Sequence, residues 1–119
     1  MKIKAELLKT ILESAKEAYP YEFIALLSGE KGIISELVFL PSISGESSAL
    51  IHLDMLPLGV RVYGTVHSHP SPCCEPSEED FYLFTKFGRI HIIVCYPFTM
   101  KNWKCYDSSG EEIELEIVQ

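Results

Sequence analysis

His67 and His69 stand two residues apart and are followed, after seven residues, by Ser77 and, three positions on, by Asp80. Imidazole nitrogen and carboxylate oxygen bind zinc at about 2.0–2.2 Å, and a catalytic zinc takes three protein ligands while keeping a fourth position for water. His67, His69 and Asp80 fit that set. Such an ion lowers the pKa of its water to about 7 and polarises a scissile carbonyl, so the spacing points to metal-dependent hydrolysis. The reaction also needs a carboxylate base and a donor for the developing oxyanion.

The elements must bring these groups together. The histidines end an apolar run, Val60 to Val66, that reads as a strand. Alternate side chains on a strand share a face, so both rings can reach one ion, while Ser68 between them points away as packing or as support for the ligands. Three prolines between Pro70 and Pro76 exclude regular structure there. Ser77-Glu78-Glu79-Asp80 has the Ser-x-x-acid pattern that caps a helix N-terminus, a structural role that stands beside the chemical one. The helix is expected from Ser77 to about Phe87, with Gly88 as its C-terminal cap. His52 and His91 have no partner nearby in sequence and read as ordinary packing or surface residues.

Elsewhere, the apolar stripe Ile3, Leu7, Leu8, Ile11, Leu12 and Ala15 predicts an amphipathic helix over residues 3–18, ended by Pro20. Strands are expected at Glu22–Leu27 and Ile33–Leu40, joined by a hairpin turn at Gly29–Gly32. A surface loop over Pro41–Ser48 leads to a short strand near 49–53. Ile90–Tyr96 is nearly all apolar and reads as a central strand buried on both faces. Lys101–Tyr106 and Glu112–Val118 predict a second hairpin around Asp107–Gly110. The result is one α/β domain spanning residues 1–119.

A 119-residue chain holds a single core and has no room for a separate recognition domain. With 47% hydrophobic and 23% charged residues it is globular. The formal charge of −7 argues against a nucleic-acid footprint and suits a partner with basic patches. No export signal or membrane span is evident, so a cytoplasmic protein that binds no membrane is expected. Four cysteines, at 73, 74, 95 and 105, are too few for a disulfide scaffold and are expected to be reduced. The alternative is one bridge between the Cys73/Cys74 loop and Cys95.

The pattern resembles the JAMM (MPN+) metalloproteases, whose signature is a distant Glu, then His-x-His, seven residues, Ser, two residues and Asp. The stretch His67 to Asp80 matches in full, with Gly64, Pro70 and Pro76 flanking it as in the family. The upstream Glu is Glu22, in Tyr19-Pro20-Tyr21-Glu22-Phe23; Ala25 stands where many members have Gly. The resemblance covers nearly the whole chain. It implies a cytidine-deaminase-like mixed β-sheet sandwiched by helices and one Zn2+ per chain on His67, His69 and Asp80. It further implies Glu22 as general base, in competition with Glu75, Glu78 and Glu79, and Ser77 as hydrogen-bond donor to the water or the oxyanion. The substrate it implies is the C-terminal tail of a ubiquitin-like or sulfur-carrier protein, cut at a peptide or isopeptide bond.

Three other readings compete. A non-catalytic scaffold in a larger complex usually loses motif residues, and this chain keeps them all. A structural zinc site on His67, His69, Cys73 and Cys74 requires adjacent cysteines at one tetrahedral ion, a poor geometry. A zinc amidohydrolase acting on a nucleobase or other small amide lacks its His-x-Glu and Cys-x-x-Cys patterns here.

Overall fold

The computed structural model describes residues 1–39 and 61–119. In chain order the elements are β1 (Lys2–Lys4), α1 (Ala5–Ala18), β2 (Ile24–Glu30), β3 (Ile33–Val38), β4 (Val62–His69), α2 (Glu78–Phe84), β5 (Ile90–Cys95), β6 (Trp103–Tyr106), β7 (Glu112–Ile113) and β8 (Glu116–Val118). The eight strands form one mixed sheet in the order β7-β6-β5-β4-β2-β3-β1-β8. The strand expected near 49–53, and His52 with it, lie outside the described residues.

The two helices cover opposite faces, as expected of a sandwiched sheet. From α1, the stripe Leu7, Leu8, Ile11, Leu12 and Ala15 packs with Val66, Ile92 and Val94. From α2, Leu83 packs with Leu26, and Phe84 packs with Ile93 on the other face. Odd and even residues of β4 and β5 therefore serve different helices, which is why β5 reads as an unbroken apolar run: all six of its residues are buried.

Strand β4 sits near the middle, antiparallel to β2 and parallel to β5. Gly64 permits the second pairing, because a Cβ there would fall 1.5 Å from the Ile90 carbonyl oxygen. Only a residue without a side chain lets the strands approach at that point.

The sheet must curl. Laid flat, eight strands at about 4.8 Å spacing would separate their edges by roughly 34 Å. Yet the edge strands β7 and β8 are joined by Glu114 and Leu115 alone, a link that spans about 11 Å at most. Leu115 is buried in the α1-side core, inside the curl.

The structure corrects several boundaries. Residues 2–4 form a strand parallel to both β3 and β8 before α1 begins at Ala5. Ile3 satisfies the helical stripe and the strand equally, because both bury it. Strand β2 runs on to Glu30, through a register shift at Ser28 and Gly29, so the turn shrinks to Lys31-Gly32 with φ of 54° and 77°. Helix α2 stops at Phe84 with Thr85 as its cap, and Gly88 instead turns the chain into β5. The second hairpin is short: Glu112 and Ile113 pair with β6, then the chain crosses to the far edge as β8.

Candidate active site

Strand β4 aligns His67 with Ile24 on β2 and with Ile93 on β5, and His69 with Cys95. Both rings project on the side of the sheet covered by α2, and α2 brings Asp80 to them from its first turn. His67 Nε2 lies 3.0 Å from Asp80 Oδ1, His69 Nε2 lies 3.1 Å from Asp80 Oδ2, and the two Nε2 atoms are 3.2 Å apart. Among the described residues these three side chains form the one cluster with metal-ligating donors in mutual reach.

The donor set fits zinc. Ligands held about 2.0–2.2 Å from a tetrahedral ion stand about 3.3 Å from one another, close to the separations observed. The rings are oriented for it as well. His69 Nδ1 donates to the Cys73 carbonyl oxygen at 2.9 Å, so that in the neutral imidazole the Nε2 lone pair is the one free for a metal. His67 Nδ1 is buried without a hydrogen-bond partner among the described residues.

Charge is balanced within the cluster. Burial alone would push the Asp80 carboxyl up, but hydrogen bonds from His67 and His69, with the Ser77 backbone N–H, hold it well below the usual carboxylate range. His69 moves the opposite way: its hydrogen bond to Asp80 raises it above 6.5, with smaller contributions from the Cys73 carbonyl and the charge of Glu22. Two nitrogens and one carboxylate thus share a site that a cation would stabilise.

Glu22 is exposed at the entry to β2, two residues before Ile24, the register partner of His67. Two hydrogen bonds pin this entry to β4: Phe23 N donates to Ser68 Oγ at 2.8 Å, and Ser68 N donates to the Phe23 carbonyl at 2.9 Å. Ser68 is thus buried away from the ligands, as strand parity requires, and holds the Glu22 segment against the histidine strand. Ser77 is the N-cap of α2 and forms a reciprocal capping box with Asp80. The rival acids look outward: Glu75 pairs with Lys104 at 3.0 Å, and Glu78 and Glu79 are exposed.

Other polar groups near the histidines have structural partners. His91 is fully buried; its Nε2 donates to the Gly88 carbonyl, its Nδ1 accepts from Thr65, and its ring stacks on Phe84 at 4.4 Å. Burial pushes this imidazole down to about 4. Tyr63 accepts from Gly32 N–H at 3.2 Å. Thr65 and Tyr63 therefore brace the sheet.

The cysteines depart from the reduced state expected. Cys74 and Cys95 form a disulfide with Cα atoms 5.4 Å apart, while Cys73 is exposed and Cys105 is buried, both as free thiols. With Cys74 oxidised, and with Cys73 meeting His69 through its carbonyl oxygen, neither thiol serves as a ligand. The contribution of Cys73 was invisible in the sequence, since a backbone carbonyl carries no residue signature.

Known proteins agree with this geometry. Residues 4–106 match the family model of prokaryotic homologues of the JAB domain. A curated relative from Haloferax volcanii, called a "Probable metalloprotease", is 31% identical over 98% of this chain and 78% of its own length. A JAB1/MPN domain protein of known structure from Archaeoglobus fulgidus is 59% identical, with TM-score 0.84 and full coverage of both chains. A second structure, described as "JAMM: A Metalloprotease-like Zinc Site in the Proteasome and Signalosome", is 56% identical with TM-score 0.83, covering 100% of this chain and 98% of that one. Fold, donor set and relatives together define a zinc metallopeptidase. The chain belongs to the prokaryotic JAB-domain family, as a short JAMM/MPN+ member.

Proposed function

We propose that this protein is a zinc peptidase or isopeptidase that cuts the amide after the C-terminal glycine tail of a ubiquitin-like or sulfur-carrier protein, with Glu22 as general base. The carrying observation is the preformed donor triad, with the His67, His69 and Asp80 atoms 3.0–3.2 Å apart, beside which the Phe23–Ser68 hydrogen bonds hold the segment that carries the exposed Glu22. When bound to His67, His69 and Asp80, zinc would acidify a water toward pKa about 7 and polarise the scissile carbonyl. Glu22 takes the proton from the attacking water and returns it to the leaving amine. Ser77, beside Asp80, donates its hydroxyl hydrogen to the developing oxyanion while its oxygen accepts the helix-cap bond.

The substrate class rests on the kinship with a protein whose zinc site is described for the proteasome and signalosome. The acidic surface supports a protein partner with basic patches. A scaffold role is disfavoured by the retention of all three donors in ligating arrangement.

The test compares wild type with Glu22→Gln on a glycine-tailed ubiquitin-like fusion and on its lysine conjugate. One zinc per chain in both proteins, with cleavage by wild type alone and a rate loss of at least about 100-fold in the variant, is expected. Undiminished cleavage by Glu22→Gln would remove Glu22 as the base. Zinc without cleavage of either substrate by wild type would remove the substrate class.

A further inference from the structure

The segment Pro70–Pro76 joins the two halves of the donor set, His69 at the end of β4 and Asp80 in α2. It has little means of holding itself. Three of its seven residues are prolines without an N–H, so backbone donors cannot fix them. What holds its first half is the Tyr96 N–H, which lies 3.2 Å from the His69 carbonyl and 3.1 Å from the Ser71 carbonyl. What holds its second half is the Cys74–Cys95 disulfide, together with a 2.8 Å hydrogen bond from the Tyr106 hydroxyl to the Cys74 carbonyl. Besides the 2.9 Å bond between His69 Nδ1 and the Cys73 carbonyl, the remaining tether is Glu75 to Lys104, an exposed ion pair of the kind that contributes little.

Cys95 is the register partner of His69. The disulfide therefore ties the loop to the strand residue directly beside a ligand, and the residue before Cys74 is Cys73, whose carbonyl oxygen takes the His69 Nδ1 hydrogen. Both sulfurs are packed in a small cluster with Phe84, Ile93 and Tyr106, between α2 and the sheet.

We propose that the Cys74–Cys95 disulfide is a positioning element of the metal centre: it holds the Cys73 carbonyl on His69 and thereby sets the affinity for zinc. The inference rests on the reading of His67, His69 and Asp80 as zinc ligands. Groups that orient a ligand in this way typically account for 10–100-fold in metal affinity. A bridge that merely stabilised the fold would leave that affinity alone.

The experiment is zinc affinity by chelator competition, far below any unfolding temperature, on four proteins. They are wild type, wild type reduced by a phosphine, Cys74→Ser/Cys95→Ser, and Leu12→Ala. The phosphine is converted to its oxide as the two thiols form. Leu12 lies in α1 across the sheet from the site, so its variant reports on lost stability alone. The proposal expects zinc to bind 10–100-fold more weakly to the reduced and doubly substituted proteins, with Leu12→Ala equal to wild type. Equal affinity in all four overturns it, as does a fall that Leu12→Ala shares. Tighter zinc binding on reduction overturns it too and makes the thiols ligands. Should the double variant not fold, the reduced wild type carries the same decision. An Asp80→Ala control separates the two readings: if zinc stays bound without Asp80, the ligand assignment fails, whatever the disulfide does.

Discussion

Ser77 and Asp80 hold each other: the Ser77 backbone N–H donates to Asp80 Oδ2 at 2.8 Å, and the Asp80 N–H donates to Ser77 Oγ at 3.3 Å. The same Oδ2 stands 3.1 Å from His69 Nε2, so one carboxylate closes a helix end and completes the donor set. Ser77→Ala removes only the bond that accepts from Asp80 N–H, because the other comes from the backbone. Loss of the cap should cost about 1 kcal/mol in urea unfolding. Zinc content should equal that of wild type. If Ser77 also serves the oxyanion, peptidase turnover should fall by about 100-fold or more, well beyond what the lost stability explains.

Zinc must compete with a proton at this site. Metal ligation needs a neutral imidazole, and in the metal-free protein Asp80, then Cys73 and Glu22, raise His69 above 6.5. For stability the sign is that of a raised histidine: the gain is full below pH 6.5 and fades as pH rises through the folded value. Asp80, being depressed, contributes above the ordinary 3.8 and loses its contribution as pH falls. The metal-free protein is therefore helped most by this pair between about pH 4 and 6.5. Zinc affinity runs the other way and should still be increasing with pH above 6.5. Chelator competition from pH 6 to 8 should show that increase, and Glu22→Gln should shift it to lower pH. An affinity already level at pH 6.5 would contradict the proton competition.

The clustering of His67, His69 and Asp80 was legible in the sequence because each obeys a short-range rule. Strand parity puts His67 and His69 on one face, and the Ser-x-x-acid cap anchors Asp80 at a helix start. What escaped depends on distant partners. Lys2–Lys4 forms β1 because β3 and β8 flank it on either side, a fact that no local pattern carries. Alternation continues from Glu112 to Val118 through Glu114 and Leu115, so nothing local marks where one strand ends and the next joins the opposite edge. Cys74 bonds to Cys95 because β5 lies beside β4, and choosing between Cys73 and Cys74 required that neighbour in place.

His91 makes acid sensitivity a property of the core. Its imidazole is neutral in the folded protein, with burial pushing it down to about 4, while an unfolded histidine titrates near 6.5. Between those values the unfolded chain binds more protons, so stability must fall as pH falls from about 6.5 toward 4. At about 1.4 kcal/mol per unit, this group alone removes about 2 kcal/mol between pH 7 and pH 5. Urea unfolding of wild type and His91→Gln at the two pH values isolates the effect, since the other titrating groups cancel in the difference. The stability advantage of wild type over the variant should shrink by about that amount at pH 5. An advantage that does not change with pH would mean His91 is not held neutral.

Gly64 should be the least replaceable residue in the histidine strand outside the ligands. The added Cβ of Gly64→Ala would sit 1.5 Å from the Ile90 carbonyl oxygen and 2.6 Å from its carbon, both backbone atoms that no rotamer change moves aside. Strands β4 and β5 must then separate at the point where their parallel pairing begins, Gly64 opposite Ile90. That pairing carries His67 beside Ile93 and His69 beside Cys95, so the disturbance runs along the strand to the ligands. A loss of at least about 3 kcal/mol is expected, in the range reserved for overpacked or strained core sites. Zinc affinity should fall with it. Thermal melting and metal content of Gly64→Ala, set against Gly32→Ala in the turn where nothing lies within 4 Å of the added atom, would measure both. The turn variant meets only the strain of its positive φ, and its zinc content should equal that of wild type.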